Sequence, residues 1–316
     1  MEGVMEDQWP ARATMVRQLQ AAGSDRIRTL ETVQQEIAAE LRDLKANKPR
    51  VFLAMPGYGL GHDGAWLGFT VQTSDGVSLD IIRGKFTSSL LAHSFNNLWC
   101  QALQEAEVGR VTHFAMIHSD VAPSPRWLDV LWEIMEQNQA HVVSAVIPIK
   151  DHRGLTSTAI ENPTSIWQIA RRLTMHEVLR LPETFGEEDV KTAGLNQWGG
   201  RLLVNTGLML VDLRPAWMRS MDENGEARIF FEIRNRVYRT PEGKYEAYVL
   251  PEDWNFSRMI YAVNPDAKLL ATRRVSVEHR GEFSYSNQSD WGQWHYDQET
   301  LEIRPTEPEE EVVVAA

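Results

Sequence analysis

One cysteine, Cys100, occurs in 316 residues. An internal disulfide is therefore excluded, and a reducing, cytoplasmic setting is the expectation. No apolar run approaches the roughly 18 residues that a membrane helix needs, so no membrane partner is expected. The opening Met1-Glu-Gly-Val-Met-Glu-Asp7 lacks a basic segment followed by an apolar one, and no signal peptide is expected. Positive charge is scarce. Against 44 Asp and Glu stand 32 Lys and Arg, a net charge of -12. That balance opposes non-specific binding to nucleic acid, which depends on cations neutralising phosphates. Gly-Lys-Ser/Thr phosphate loops, paired-cysteine zinc spacings and a serine nucleophile elbow are also missing.

What is present is a 43% hydrophobic chain with eleven tryptophans, long enough for one large α/β domain. Ile27, Leu30, Val33, Ile37, Leu41 and Leu44 recur at helical spacing behind a Ser24 N-cap, predicting a helix over about 24–46. It belongs to an N-terminal extension, residues 1–48, and offers a face for packing on the main domain or, as a homodimer, on a partner helix. Arg50–Met55 reads as a buried strand, followed by a glycine-rich loop. Trp66–Arg83 alternates around Asp75-Gly76, a hairpin signal. Residues 87–107 form a helix with Leu90, Leu91, Phe95, Leu98, Trp99, Ala102 and Leu103 on one side, where Cys100 reads as a core thiol. Val111–His118 and Ala140–Ile147 are apolar strands with a helix at about 125–138 between them. Residues 150–200 look irregular, 202–213 is a strand, and helical pieces surround 215–239 and 252–263. A strand ends near His279. This alternation predicts a mixed sheet flanked by helices over residues 49–298. Residues 299–316 form an acidic tail, expected to be disordered.

Four segments concentrate the chemistry. Val111–Asp120 is an apolar run that stops at His118, Ser119 and Asp120, and the carboxyl ends of such strands are where open α/β sheets bind ligands. Leu203–Leu213 is apolar but interrupted by Asn205-Thr-Gly207, and a glycine inside a strand marks a bulge or a close approach. Glu252-Asp253 opens a helix after Pro251. Either the pair caps that helix through its dipole, or it supplies a base for a hydroxyl proton. Val277-Glu-His-Arg-Gly281 follows. Together and in this order, these segments resemble glycosyltransferases of the GT-A fold, over roughly residues 50–285.

The resemblance implies a single GT-A-type (Rossmann-like) α/β domain, and transfer of a sugar from a nucleoside-diphosphate donor, UDP-sugar first, to a hydroxyl. The acceptor class stays open between a glycan, a protein and a hydroxymethylated DNA base. It implies Mn²⁺ or Mg²⁺ held by Asp120 and His279, with His118 standing where the family has an acid. Asp253, Glu252 and Asn205 become the candidate catalytic residues. Met55, Pro56 and Tyr58 after the first strand, Asn96 and Asn97 on the helix, Arg83, His118 and Gly207 become candidate donor contacts. Arg228, Arg234, Arg236 and Arg239 read as a solvated helix face or a groove for an anionic acceptor.

Rival readings remain. Gly59-Leu-Gly-His-Asp-Gly64 has dinucleotide-fingerprint spacing with Asp80 downstream, as in an oxidoreductase, but its context reads as strand and turn rather than helix. A sugar-phosphate nucleotidyltransferase needs Arg and Lys in the loop after the first strand, and residues 56–65 have neither. A non-catalytic carbohydrate-binding protein of the same fold is the third.

Overall fold

The computed structural model describes residues 49–57, 61–70, 79–281, 283–291, 294–296 and 303–305. The chain divides into two units, Met1–Lys48 and Pro49–Ala316. The expected N-terminal helix with its homodimer face, Tyr58, Asp75-Gly76 and most of the acidic tail lie outside the described residues.

The second unit is a mixed α/β domain. Its seven-stranded sheet runs, in spatial order, β2 (Asp80–Thr87), β1 (Arg50–Gly57), β3 (His113–Ile117), β10 (Leu208–Asp212), β5 (Val142–Ala145), β13 (Leu269–Thr272) and β8 (Thr184–Phe185). The strands β2, β1, β3, β5 and β13 share one direction, while β10 and the edge strand β8 oppose it. The central strands are apolar without alternation because both their faces are covered. Period-2 geometry divides their side chains between two cores. Phe52, Phe114, Met116, Met209 and Val211 face one core, and Val51, Leu53, Ala115, Ile117, Leu208 and Leu210 face the other. On the first side lie Phe95, Leu98 and Trp99 of α2 (Leu91–Glu107) and Phe256 and Ile260 of α6 (Glu252–Val263). On the second lie Ala65 and Phe69 of α1 (Asp63–Thr70) and Trp127, Leu128 and Leu131 of α3 (Trp127–Asn138).

Two small sheets bring distant segments to the main sheet. One orders β15 (Ser284–Ser286), β14 (Val277–Arg280) and β4 (Val121–Pro123). The other orders β7 (Ile169–Thr174), β6 (Leu155–Glu161) and β9 (Leu202–Leu203). Between β9 and β10 the chain changes sheets. Asn205 organises that change, donating through Nδ2 to Ala145 O at 2.6 Å and accepting from Gly207 N at 2.9 Å.

Several expectations are corrected. Trp66–Arg83 is not a hairpin, because residues 63–70 are helical and Asp80–Thr87 pairs parallel to β1. Gly68 explains the misreading. A Cβ there would lie 2.7 Å from Pro123 Cγ and 2.9 Å from Ile117 Cδ1, so glycine lets α1 approach β4 and breaks the helical pattern of apolar residues. Residues 150–200 are ordered into β6, β7, α4 (Met175–Arg180), β8 and α5 (Glu187–Thr192). Their pattern is hidden by Arg171, buried in β7 and ion-paired with Glu177. Within 215–239, only Ala216–Arg219 is helical, as one 3₁₀ turn. Arg234–Arg239 is instead β11, paired with β12 (Tyr245–Leu250) in a hairpin whose side chains are mostly exposed. Cys100 lies on the exposed side of α2, and Leu90 and Leu91 are exposed as well. The tail contributes a strand, β17 (Ile303–Pro305), paired with β16 (Trp294–Tyr296). Among the described residues, no helix is long and apolar enough to cross a membrane.

Candidate functional site

The carboxyl ends of β3 and β5 lie at one edge of the sheet, with the start of the opposed β10 between them. His118 N donates to Gly207 O at 2.8 Å, closing β3 onto that start. The chain then turns at Ser119-Asp120 into β4. β14 pairs with β4 so that His279 stands opposite Val121, and Arg280 N donates to Asp120 O at 2.8 Å. This register sets His279 beside Asp120, 159 positions earlier in the chain. Its Nε2 is 3.4 Å from Asp120 Oδ2.

His279 Nδ1 lies 2.7 Å from Pro148 O. A carbonyl only accepts, so Nδ1 carries the proton and Nε2 is the nitrogen turned towards Asp120. A third group shares the carboxylate. Lys150 Nζ is 2.6 Å from Asp120 Oδ2. Its stem lies along Gly281, where a Cβ would be 3.2 Å from Lys150 Cδ. Burial raises the Asp120 pKa, but the neighbouring His279, His118 and Lys150 outweigh it and hold the carboxyl well below the usual range. Burial lowers His118 to about 4, against the pull of Asp120, so it is neutral at pH 7. Its Nε2 is buried without a hydrogen-bond partner, and its ring lies 4.9 Å from that of Phe95.

The donor chemistry at Asp120 and His279 fits a hard divalent cation. A carboxylate and an imidazole meet there, the imidazole being fixed by a carbonyl on its far nitrogen as metal-binding histidines usually are. His118 does not join them: among the described residues, no group of three or more His, Cys, Asp or Glu side chains is arranged around a metal. Further ligands would have to come from a bound phosphate or from water.

A second constellation lies at the start of α6. Asp253 Oδ1 accepts from Trp254 N at 2.7 Å. Burial, and then repulsion from Glu252, hold the Asp253 carboxyl far above its ordinary range, with Arg172 opposing. Burial also raises Glu252. The Arg172 guanidinium sits over the Trp254 ring at 4.7 Å. The two constellations are joined through β6. Ser157 N bonds Ile147 O, beside Pro148 and Lys150, and Ser157 O accepts from Trp254 Nε1 at 2.8 Å.

No family model matches the sequence, and no curated protein matches it. Among solved structures, A197 from STIV has 11% identity over 82% of this chain and 95% of its own, with a TM-score of 0.42. The uridine diphosphate N-acetylglucosamine pyrophosphorylase from Trypanosoma brucei has 9% identity over 78% of this chain and 64% of its own, with a TM-score of 0.33. An apo UDP-glucose pyrophosphorylase has 10% identity over 76% and 79%, with a TM-score of 0.29.

Other expected donor contacts are engaged within the protein. Asn96 clamps Phe231, donating to its carbonyl at 2.7 Å and accepting from its amide at 2.8 Å. Asn97 donates to His93 O on its own helix at 3.0 Å. Arg83 donates to Phe69 O at 2.8 Å and Thr70 O at 3.3 Å, closing the end of α1. Met55 is fully buried in the core, and Pro56 is buried at the end of β1. Asn205 is 2% exposed, and both ends of its amide bond the backbone. It therefore positions the sheet edge. Gly207 is buried beside it and touches the site through His118.

The dinucleotide reading fails for a different reason from the expected one. A helix does follow the glycine loop. Asp80, however, is the first residue of β2 and pairs with Arg50 at the amino edge of the sheet, whereas a ribose ligand belongs at the carboxyl edge. The glycines have packing roles. A Cβ at Gly61 would lie 3.1 Å from Ser119 Cβ, and one at Gly64 only 2.6 Å from Ala122 Cβ.

Sequence reasoning missed Lys150. The available signal was its place shortly after the apolar strand Ala140–Ile147, as Asp120 follows the strand before it. Gly281 ends the Val277–Gly281 motif, but nothing in that motif marks it as the neighbour that makes room for the Lys150 stem.

Proposed function

We propose that the protein is a metal-dependent glycosyltransferase that moves a sugar from a nucleoside diphosphate, UDP in the first instance, to an acceptor hydroxyl. The observation that carries the reading is the meeting of Asp120, His279 and Lys150 at the carboxyl edge of a mixed α/β sheet. Such an edge is where α/β sheets bind ligands. A carboxylate with an oriented imidazole suits a divalent cation, and an ammonium suits a phosphate.

In this reading Asp120 and His279 hold Mn²⁺ or Mg²⁺, which would supply charge stabilisation to the leaving diphosphate. The bond from the sugar carbon to the phosphate oxygen breaks, and its electron pair stays with the diphosphate. The acceptor oxygen bonds to that carbon and its proton passes to Asp253. A carboxylate with raised proton affinity is suited to this step, because a base works best with a pKa near the working pH. Glu252 tunes Asp253 through repulsion and Arg172 through attraction. The acceptor is a glycan, a protein or a modified DNA base.

The test is a panel of nucleoside-diphosphate sugars with these acceptors, followed by mass spectrometry of products and release of UDP. Sugar transfer that stops with EDTA and returns with Mn²⁺ is expected. Pyrophosphate-dependent formation of UTP from a UDP-sugar, without transfer to any acceptor, would replace this reading with that of a nucleotidyltransferase.

A further inference from the structure

We infer that Lys150 is a diphosphate-binding residue that waits on Asp120 as the carboxylate's counter-ion, and that it changes partner when a divalent cation arrives. The inference rests on the donor site proposed above. Three observations support it. Lys150 Nζ meets the same oxygen, Oδ2, that faces His279 Nε2, at 2.6 Å against 3.4 Å. The ammonium therefore occupies the position at which a cation would be held. The pair is half-exposed, with side-chain exposures of 37% and 38%, so it is a weak contact that can be exchanged. The stem packs along Gly281, a residue without a side chain, which keeps the head at this edge of the sheet whichever partner it takes.

The chemistry of the exchange follows from charge. An ammonium and a divalent cation on one carboxylate repel each other, so each weakens the other's hold on Asp120. A diphosphate relieves that conflict. It offers oxygens to the cation and to the ammonium together, and Lys150 has three N–H donors with which to accept the offer. Lys150 thus opposes the metal alone and favours the diphosphate. Binding linkage makes these two effects parts of one coupling between metal and donor.

The experiment is isothermal titration on the full chain with Lys150→Met and Lys150→Arg, using MnCl₂ alone, inorganic pyrophosphate with Mn²⁺, and UDP with Mn²⁺. Circular dichroism melts confirm that the variants are folded. Lys150→Met is expected to bind Mn²⁺ alone more tightly, and to bind pyrophosphate and UDP about tenfold or more weakly, the size of one charge-assisted hydrogen bond. Lys150→Arg retains anion binding within about threefold, a small change in free energy. A folded Lys150→Met that binds Mn²⁺ no more tightly than wild type, or that keeps wild-type affinity for pyrophosphate, overturns the inference. The arms separate it from the reading beneath it. If pyrophosphate obeys these expectations while UDP binds no better than pyrophosphate, Lys150 stands and the nucleotide donor falls. If UDP with Mn²⁺ binds equally well to wild type and Lys150→Met, the donor stands and Lys150 falls.

Discussion

Asn96 uses both ends of its amide on the backbone of Phe231, and that engagement is testable. Asn96→Ala should lower the unfolding free energy by about 1–3 kcal/mol, the usual cost of orphaning buried backbone groups. Its UDP affinity, measured by titration, should match wild type. A loss of nucleotide affinity without a loss of stability would return Asn96 to the donor pocket. Asp253 has two measurable consequences. As the base, its replacement by Asn should slow turnover by about 10² to 10⁴ while leaving donor affinity intact. Its raised pKa also bears on stability. The folded chain holds this proton more tightly than the unfolded chain does. The resulting stability is complete below about pH 4, the unfolded carboxyl range, and is lost as pH rises through the folded pKa. Asp253→Asn removes that loss. Its melting temperature should exceed that of wild type at pH 8, and the gap should close towards pH 4. A gap that widens on acidification would contradict the burial argument.

At the level of elements, α1 is held to the site by glycines. A Cβ at position 64 would already lie 2.6 Å from Ala122 Cβ, and Gly64→Val adds two methyl groups beyond it. Overpacking of that kind costs about 1–3 kcal/mol. It should also disturb the bond from His62 N to Ser119 O, which is 2.7 Å long. Weaker UDP binding together with a lower melting temperature is the expected pair of results, and unchanged binding would detach α1 from the site. The same element shows what sequence reading can and cannot reach. β3, β5 and β10 were legible because strands covered on both faces read as apolar runs. Asp120 and the 205–207 break were legible because they end or interrupt such runs. His279 was nominated through its motif, but only the register of β14 against β4 puts it beside Asp120. α1 was misread because Gly68 stands where a helix would show an apolar residue. β7 and β11 were misread because Arg171 is buried with an ion partner and Arg234–Arg239 is open to solvent. Lys150 was hidden because a single lysine in a loop carries no periodic signal. The backbone amide bonds of Asn96 and Asn205 were hidden because a polar side chain's partner is set by tertiary approach, not by its neighbours in sequence.

At the level of the whole molecule, the proposed donor site gathers residues from β3, the loop after β5, the start of β10 and β14, all at one edge of the sheet. Saturating UDP with Mn²⁺ should slow amide hydrogen exchange in 118–121, 147–150 and 277–281 together, while the amino edge around Arg50 and Asp80 exchanges as before. Protection of the amino edge alone would move the ligand elsewhere. The reversed strand β10 also governs timing. In the main sheet, only β10 joins β3 to β5, and it arrives late in the chain: Met116 must meet Met209, and Ser144 must meet the same residue. Nascent chain that ends before residue 208 leaves unpaired one edge of β3 and both edges of β5, because β13 follows later still. Edges of that kind recruit other chains. Synthesis paused before β10 should therefore leave an aggregation-prone species, and the emergence of these five residues closes the facing edges of β3 and β5 in a single event.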